Sequence, residues 1–252
     1  MTRKPFFWIL LTLSSVCGIL YFAKNFDNAF PALTVNVKMN REMAIGEAGI
    51  LSKKYNLGPI EYSSAVSFDG DRNLQTFVEL EGGGLDTFKM LYSDSIFHPY
   101  VWRVRHFQEK NPKEVSIWFT PEGRPYSFSQ KLSEDEPGST LNRDEAYSVA
   151  LESLNDDWYV DIDQYELVDE SEKIQPGGRT DHTFTFQLSG FQMGENGFIK
   201  LKLTVQGDRL GELVHFAQVP EAFNRRFSEM RSANDTIAFS ASIIIYLIYG
   251  LV

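Results

Sequence analysis

The side chains that invite a chemical reading are four histidines, several acidic runs and a set of aromatics. His98, His106, His182 and His215 stand singly. None sits in the His-Glu-x-x-His spacing that puts two imidazoles on one helical face for zinc. None has a carboxylate or a second histidine three or four residues away on a predicted helix. His106, His182 and His215 fall in strand-like patterns and read as ordinary sheet residues. Acidic runs occur at Glu134-Asp135-Glu136, Asp156-Asp157 and Asp169-Glu170-Ser171-Glu172. A hard cation such as calcium needs about six oxygens from a defined loop. No run here has the alternate acidic spacing of an EF-hand, so these read as solvated turns and faces. No Gly-x-Ser-x-Gly elbow is present. The single cysteine, Cys17, lies in an apolar run, which leaves the remainder without a thiol nucleophile or a thiolate zinc site. Trp102, Trp118 and Trp158 could form a ligand cage, but aromatics in strand patterns are more often core. Gly82-Gly83-Gly84 lacks the following helix N-terminus that a phosphate cradle requires, and Leu85-Asp86-Thr87-Phe88 reads as a loop. The residues therefore assign no catalytic, cofactor-binding or metal-binding position within 1–252.

Two apolar stretches must place whatever lies between them. Arg3 and Lys4 precede an uncharged run over residues 5–23, closed by Lys24. That run is long enough to span a bilayer. A cleaved signal peptide is the rival reading, but Tyr21-Phe22-Ala23 is a poor cleavage site. Val16 directly before Cys17 argues against lipoprotein processing. An uncleaved anchor is the expectation for residues 1–24. At the other end, residues 237–252 form a second uncharged run that stops a little short of the roughly 20 residues a span needs. The expectation is a chain that continues, with 237–252 opening a second transmembrane helix. Phe223, Phe227 and Met230 lie at i, i+4 and i+7 before it. They make residues 220–236 an amphipathic helix suited to the membrane interface.

All 34 acidic residues lie between the two runs, and the formal net charge of the chain is −10. Such a surface repels phosphate backbones, so nucleic acid is excluded as a partner. The absence of cysteine from this segment excludes a disulfide framework. Long loops translocate largely regardless of their charge, and with Arg3 and Lys4 marking the cytoplasmic side the middle segment is placed outside the cytoplasm.

The pattern within it is α+β. Residues 25–40 read as an extended lead-in, with Leu33, Val35 and Val37 alternating. A helix over 41–55 is stopped by Asn56-Leu57-Gly58-Pro59. Strands are expected over 62–68 and 74–80, then over 101–107, 115–120 and 126–129 as an antiparallel meander with proline and glycine turns. Residues 132–139 are a polar linker. Asn142 and Glu145 form a capping box that opens a second helix. Strands over 159–168, 182–188, 198–205 and 212–219 follow it. The chain thus divides into a first half, 41–139, and a second, 140–219, each a helix followed by a meander.

Val219-Pro220-Glu221-Ala222-Phe223, Arg226-Phe227-Ser228-Glu229-Met230-Arg231-Ser232-Ala233-Asn234 and Thr236-Ile237-Ala238 carry a resemblance. They are similar to the junction between outer region and membrane core in long bacterial members of the CPBP intramembrane protease family, relatives of the CAAX prenyl endopeptidases. Arg179-Thr180-Asp181-His182-Thr183-Phe184 and Gly207-Asp208-Arg209-Leu210-Gly211-Glu212-Leu213 resemble the sheet that precedes it. The two halves are similar to PepSY-type modules. The resemblance implies a bacterial cytoplasmic-membrane protein with its middle segment extracytoplasmic. Its partners would be the lipid bilayer, its own downstream membrane core and a peptide or protein substrate. The family's activity is attributed to Glu-Glu-x-x-x-Arg, Phe-x-x-x-His and a further histidine motif on later helices. None occurs in residues 1–252, so the resemblance places hydrolysis, and any metal ion, in a core beyond Val252. The alternative is a non-enzymatic sensor or binding domain of a membrane receptor.

Overall fold

The computed structural model describes residues 5–29, 35–93, 96–154 and 157–250. It is an α+β structure with one eight-stranded antiparallel sheet and a long apolar helix at each end. In chain order the elements are α1 (Pro5–Ala29), α2 (Arg41–Tyr55), β1 (Ser63–Gly70), α3 (Arg72–Leu80), α4 (Gly84–Ser93), β2 (Tyr100–Phe107), β3 (Glu114–Phe119) and β4 (Pro125–Lys131). Then come α5 (Arg143–Glu152), a single 3-10 turn (Ile162–Gln164), β5 (Tyr165–Ile174), β6 (Thr180–Leu188), β7 (Phe198–Gln206), β8 (Arg209–Gln218) and α6 (Glu221–Gly250).

The strand order is β1-β2-β3-β4-β8-β7-β6-β5. Two four-stranded meanders therefore meet edge to edge where β4 pairs with β8, through Phe128↔Leu213 and Ser129↔Glu212. One apolar row crosses this seam: Val66, Val104, Ile117, Phe128, Leu213, Leu203 and Phe184 lie at successive register positions. It faces α2 and α5. Both helices reach the sheet through small residues one turn apart, Ala44 and Ala48 on α2, Ala146 and Ala150 on α5, all fully buried. Alanine lets a helix backbone approach closely without leaving a gap. The neighbouring row, on the opposite face, is polar: Arg105, Ser116, Ser129, Glu212, Thr204, Thr183 and Ser171. One face packed and one solvated is the usual economy of an antiparallel sheet.

The helix ends carry the caps that the residues promise. Asn40 accepts a bond from the Met43 N–H, and Asn56 takes the left-handed conformation that closes α2. At α5 both arms of the Asn142–Glu145 capping box are formed.

Four expectations need correction. Residues 74–80 are not a strand but the body of α3. Asp71 caps it by accepting from the Leu74 N–H, and Leu74, Phe77 and Val78 are the buried positions. That burial follows the helical period, whereas the alternation of Leu74, Thr76, Val78 and Leu80 imitates a strand. Residues 85–88 are not a loop but part of α4, which folds back on α3 and buries Phe88 and Leu91. The strand expected from 159 begins at Tyr165, after the 3-10 turn. Lastly, α1 continues to Ala29, where a lead-in was expected, and residues 35–40 are irregular. Leu33 lies outside the described residues.

A second, smaller core unites α3 and α4 with the far end of the sheet. It comprises Leu74, Phe77, Val78, Phe88, Leu91, Phe97, Leu188, Met193, Ile199 and Phe223. Phe223 belongs to the first turn of α6. Its ring meets Phe77 edge-on at 5.2 Å and stacks on Phe227, and Arg226 pairs with Glu81 at 2.7 Å. Part of the apolar face on residues 220–236 is thus taken up by the domain, while Met230 stays exposed. α6 then runs without interruption into its apolar half. Among the described residues two helices, over Pro5–Lys24 and Glu221–Tyr249, are long and apolar enough to cross a membrane.

Because both meanders share one core across the seam, the two halves should unfold together. Leu213→Ala is expected to cost about 2–5 kcal/mol. Urea denaturation of the detergent-solubilised chain should show one transition, with coincident midpoints from Trp118 and Trp158 fluorescence in single-tryptophan variants. Separate midpoints would mean that the halves are independent.

Candidate functional site

The seam brings together side chains far apart in sequence. His215 on β8 lies beside Tyr126 on β4, the two rings stacked at 4.4 Å with an interplanar angle of 11°. His98, just before β2, meets the same Tyr126 edge-on at 5.0 Å, and its backbone N–H donates to the Tyr126 hydroxyl at 3.3 Å. This His98–Tyr126–His215 group lines two cavities of about 290 and 280 Å³. The first lies between the two hydrophobic cores. Trp158, Tyr165 and Leu188 form its apolar walls, and Thr120, Arg124, Asp161 and Gln164 are its polar groups.

Burial sets the charge of this wall. It pushes His98 down to about 4; the nearby Glu122 carboxylate opposes that shift and Arg124 adds to it. Burial likewise pushes His215 down to about 4, against the bond to the Tyr126 carbonyl. Both imidazoles are therefore neutral at pH 7. The Tyr165 phenol is pushed up to about 12, chiefly by burial, and Tyr126 is raised further by the same cause. Both stay protonated. His215 Nδ1 lies 3.0 Å from the Tyr126 carbonyl oxygen, which accepts only, so Nδ1 carries the ring proton. His98 Nδ1 is buried with no hydrogen-bond partner among the described residues.

Two serine–histidine pairs look at first like hydrolytic machinery. Ser127 Oγ is 3.3 Å from His215 Nδ1, but that nitrogen is protonated and Ser127 accepts from the His215 backbone N–H at 3.1 Å. A protonated nitrogen cannot take the serine proton. Ser52 Oγ lies 2.9 Å from His106 Nδ1, yet both residues are buried and Tyr62 stacks on the imidazole at 3.9 Å. Among the described residues His106 Nε2 has no orienting partner, and burial lowers the ring's proton affinity. Ser52 and Tyr62 line a cavity of about 480 Å³, but among the described residues the pair lacks the third group that aims a triad. His182 is also structural: Nε2 donates to the Leu141 carbonyl at 2.9 Å while the ring stacks on Phe184.

The acidic runs disperse. Glu134 pairs with Lys173, Glu170 with Arg143, and Asp157 with Lys54 and the Tyr55 hydroxyl. Asp156 lies outside the described residues. Among the described residues no three His, Cys, Asp or Glu side chains converge as a metal seat would require. Of the tryptophans, Trp158 is both core and cavity wall, with Phe128 at 4.6 Å. Trp102 packs on Phe68, and Trp118 lies under the Arg103 guanidinium.

One rim feature escaped the sequence. Tyr159 holds a φ of 53° with its ring largely exposed beside the first cavity. A bulky side chain in the left-handed region costs about 1–2 kcal/mol and draws attention to its surroundings.

No protein-family model, curated protein or solved structure matches this chain.

The two neutral histidines set a pH dependence. In the unfolded chain they protonate near 6.5, and in the fold only near 4. Between these values the unfolded chain binds more protons, so stability falls as pH drops through that window. Urea midpoints should decline from pH 7 to 4.5, a loss on the order of 5 kcal/mol from the two groups together. The double variant His98→Gln, His215→Gln should show a flatter slope over the same range.

Proposed function

We propose that this chain is the membrane anchor and extracytoplasmic accessory domain of a CPBP-type intramembrane protease. Its membrane core, and any metal ion that core uses, would lie beyond residue 252. In this reading α1 and the apolar half of α6 cross a bacterial cytoplasmic membrane, with the sheet domain outside. The two meanders act as PepSY-like halves that present or gate a peptide or protein substrate.

The observation that carries the reading is the continuity of α6. Its first turn is clamped into the second core by Phe223 and by Arg226–Glu81. The same helix then continues to Gly250 with no proline or glycine inside it. An uninterrupted helix links the clamped end to the apolar end, so a tilt of the domain would be passed toward the membrane. The resemblance at residues 219–238 supplies the family. The alternative, a non-enzymatic receptor domain, is favoured by the cavity beside His98 and His215, since a sensor needs a ligand site and no hydrolytic geometry.

The gene distinguishes them. Several apolar helices after the codon for Val252, bearing Glu-Glu-x-x-x-Arg and the paired histidine motifs, support the protease. A polar signalling domain or an immediate stop codon removes that reading and leaves the receptor. The clamp has its own expectation in either case. Phe223→Ala removes a fully buried ring, a loss of about 3–5 kcal/mol, and should open new trypsin cleavage at Arg225 and Arg226 in membrane vesicles while α1 stays inserted.

A further inference from the structure

The first cavity has a charge pattern as well as a shape. Arg124 leaves the turn at Pro121-Glu122-Gly123, fixed by the Thr120 N–H bonding to the Arg124 carbonyl at 2.9 Å and the Arg124 N–H bonding to Thr120 Oγ1 at 3.2 Å. Its guanidinium is exposed at the cavity and forms no ion pair among the described residues. In a chain of net charge −10 an uncommitted arginine at a cavity is an anion seat. Asp161 lies on the same cavity, and among the described residues its carboxylate is engaged by Gln164 Nε2 alone, at 2.9 Å. The histidines between them are neutral. Behind the two charges stands an apolar floor that includes Trp158, with the strained Tyr159 ring at the rim. His98 Nδ1, on a residue only 7% exposed, is a buried polar atom with no partner among the described residues.

A carboxylate alone would face Asp161, and an ammonium alone would face Arg124. A dipolar ligand with an apolar body satisfies both. A cavity of about 290 Å³ falls just below the range for drug-sized ligands, so the ligand is small. We propose that this cavity binds a free α-amino acid with an aromatic or large apolar side chain. Arg124 takes the carboxylate, Asp161 the ammonium, and Trp158 and Tyr159 the side chain. The proposal holds whether the domain serves a protease or a receptor.

The test is isothermal titration of the full chain in lipid nanodiscs with L-phenylalanine. Saturable binding is expected, with phenylacetate and phenethylamine each at least tenfold weaker. Arg124→Gln and Asp161→Asn should each weaken L-phenylalanine at least tenfold. Neither side chain supports the core, so the unfolding midpoint without ligand should not move. Tyr159→Asn suits the left-handed backbone better, so it should keep or raise stability while weakening binding. Absence of binding to L-phenylalanine, L-leucine and L-tryptophan up to millimolar concentration overturns the proposal. Equal binding of phenylacetate and phenylalanine, or full affinity in Asp161→Asn, overturns the ammonium seat and with it the amino acid. The gene past Val252 decides the protease reading separately, so the two can fail independently.

Discussion

Phe128 pairs with Leu213 and Ser129 with Glu212, and through these two positions the two meanders become one sheet. A four-stranded meander covered by one helix buries little, and its open edge exposes unpaired backbone groups. Joining β4 to β8 removes an edge from each meander. It also merges their apolar faces into one core under α2 and α5. On the other face Glu212 makes the seam chemically specific. Its carboxylate accepts from Ser129 at 3.0 Å and from Thr204 at 2.9 Å, and it pairs with Lys202 at 3.1 Å. A slip of one residue would place Glu212 in the core and Leu213 in solvent, so the register is fixed from both faces.

Much of this frame is legible in the residues. Ile199, Leu201, Leu203 and Val205 alternate with polar neighbours, and the structure buries that set in β7. The capping box at Asn142 announces α5, because its two bonds depend only on residues three apart. α3 was not legible for a local reason: in a nine-residue stretch the same apolar residues satisfy a period of two and a period near 3.6. What decides between them is tertiary. Phe77 packs against Phe223 from the far end of the chain, a contact not visible from 74–80 alone.

The candidate site was less legible still, and the reason is distance along the chain. His215 and the Tyr126 carbonyl that fixes its tautomer are 89 residues apart. Read singly, His106, His182 and His215 are ordinary sheet residues, and in the structure His106 and His182 lie in strands with structural partners. The same reading missed what the seam does to His98 and His215, which it brings to one tyrosine between two cores. Arg124 had no distinguishing neighbour in sequence, and the strain at Tyr159 belongs to the backbone, which composition does not record.

The cavity and α6 meet through the second core. Leu188 lines the cavity and belongs to the cluster that holds Phe223. A ligand bound only when this core is intact stabilises it by mass action, about 2.7 kcal/mol at a concentration one hundred times Kd. The Phe223 clamp is worth a similar amount, about 3–5 kcal/mol by the same core-truncation scale. Such a ligand stabilises the same state as the clamp, so its binding would tighten the seating of Phe223 rather than release it. The polar side of the clamp is weak by comparison. Arg226–Glu81 is exposed, and such pairs contribute about 0–1 kcal/mol. The hold of the domain on α6 therefore rests on aromatic burial and not on charge, so it should respond to what fills the neighbouring core far more than to salt.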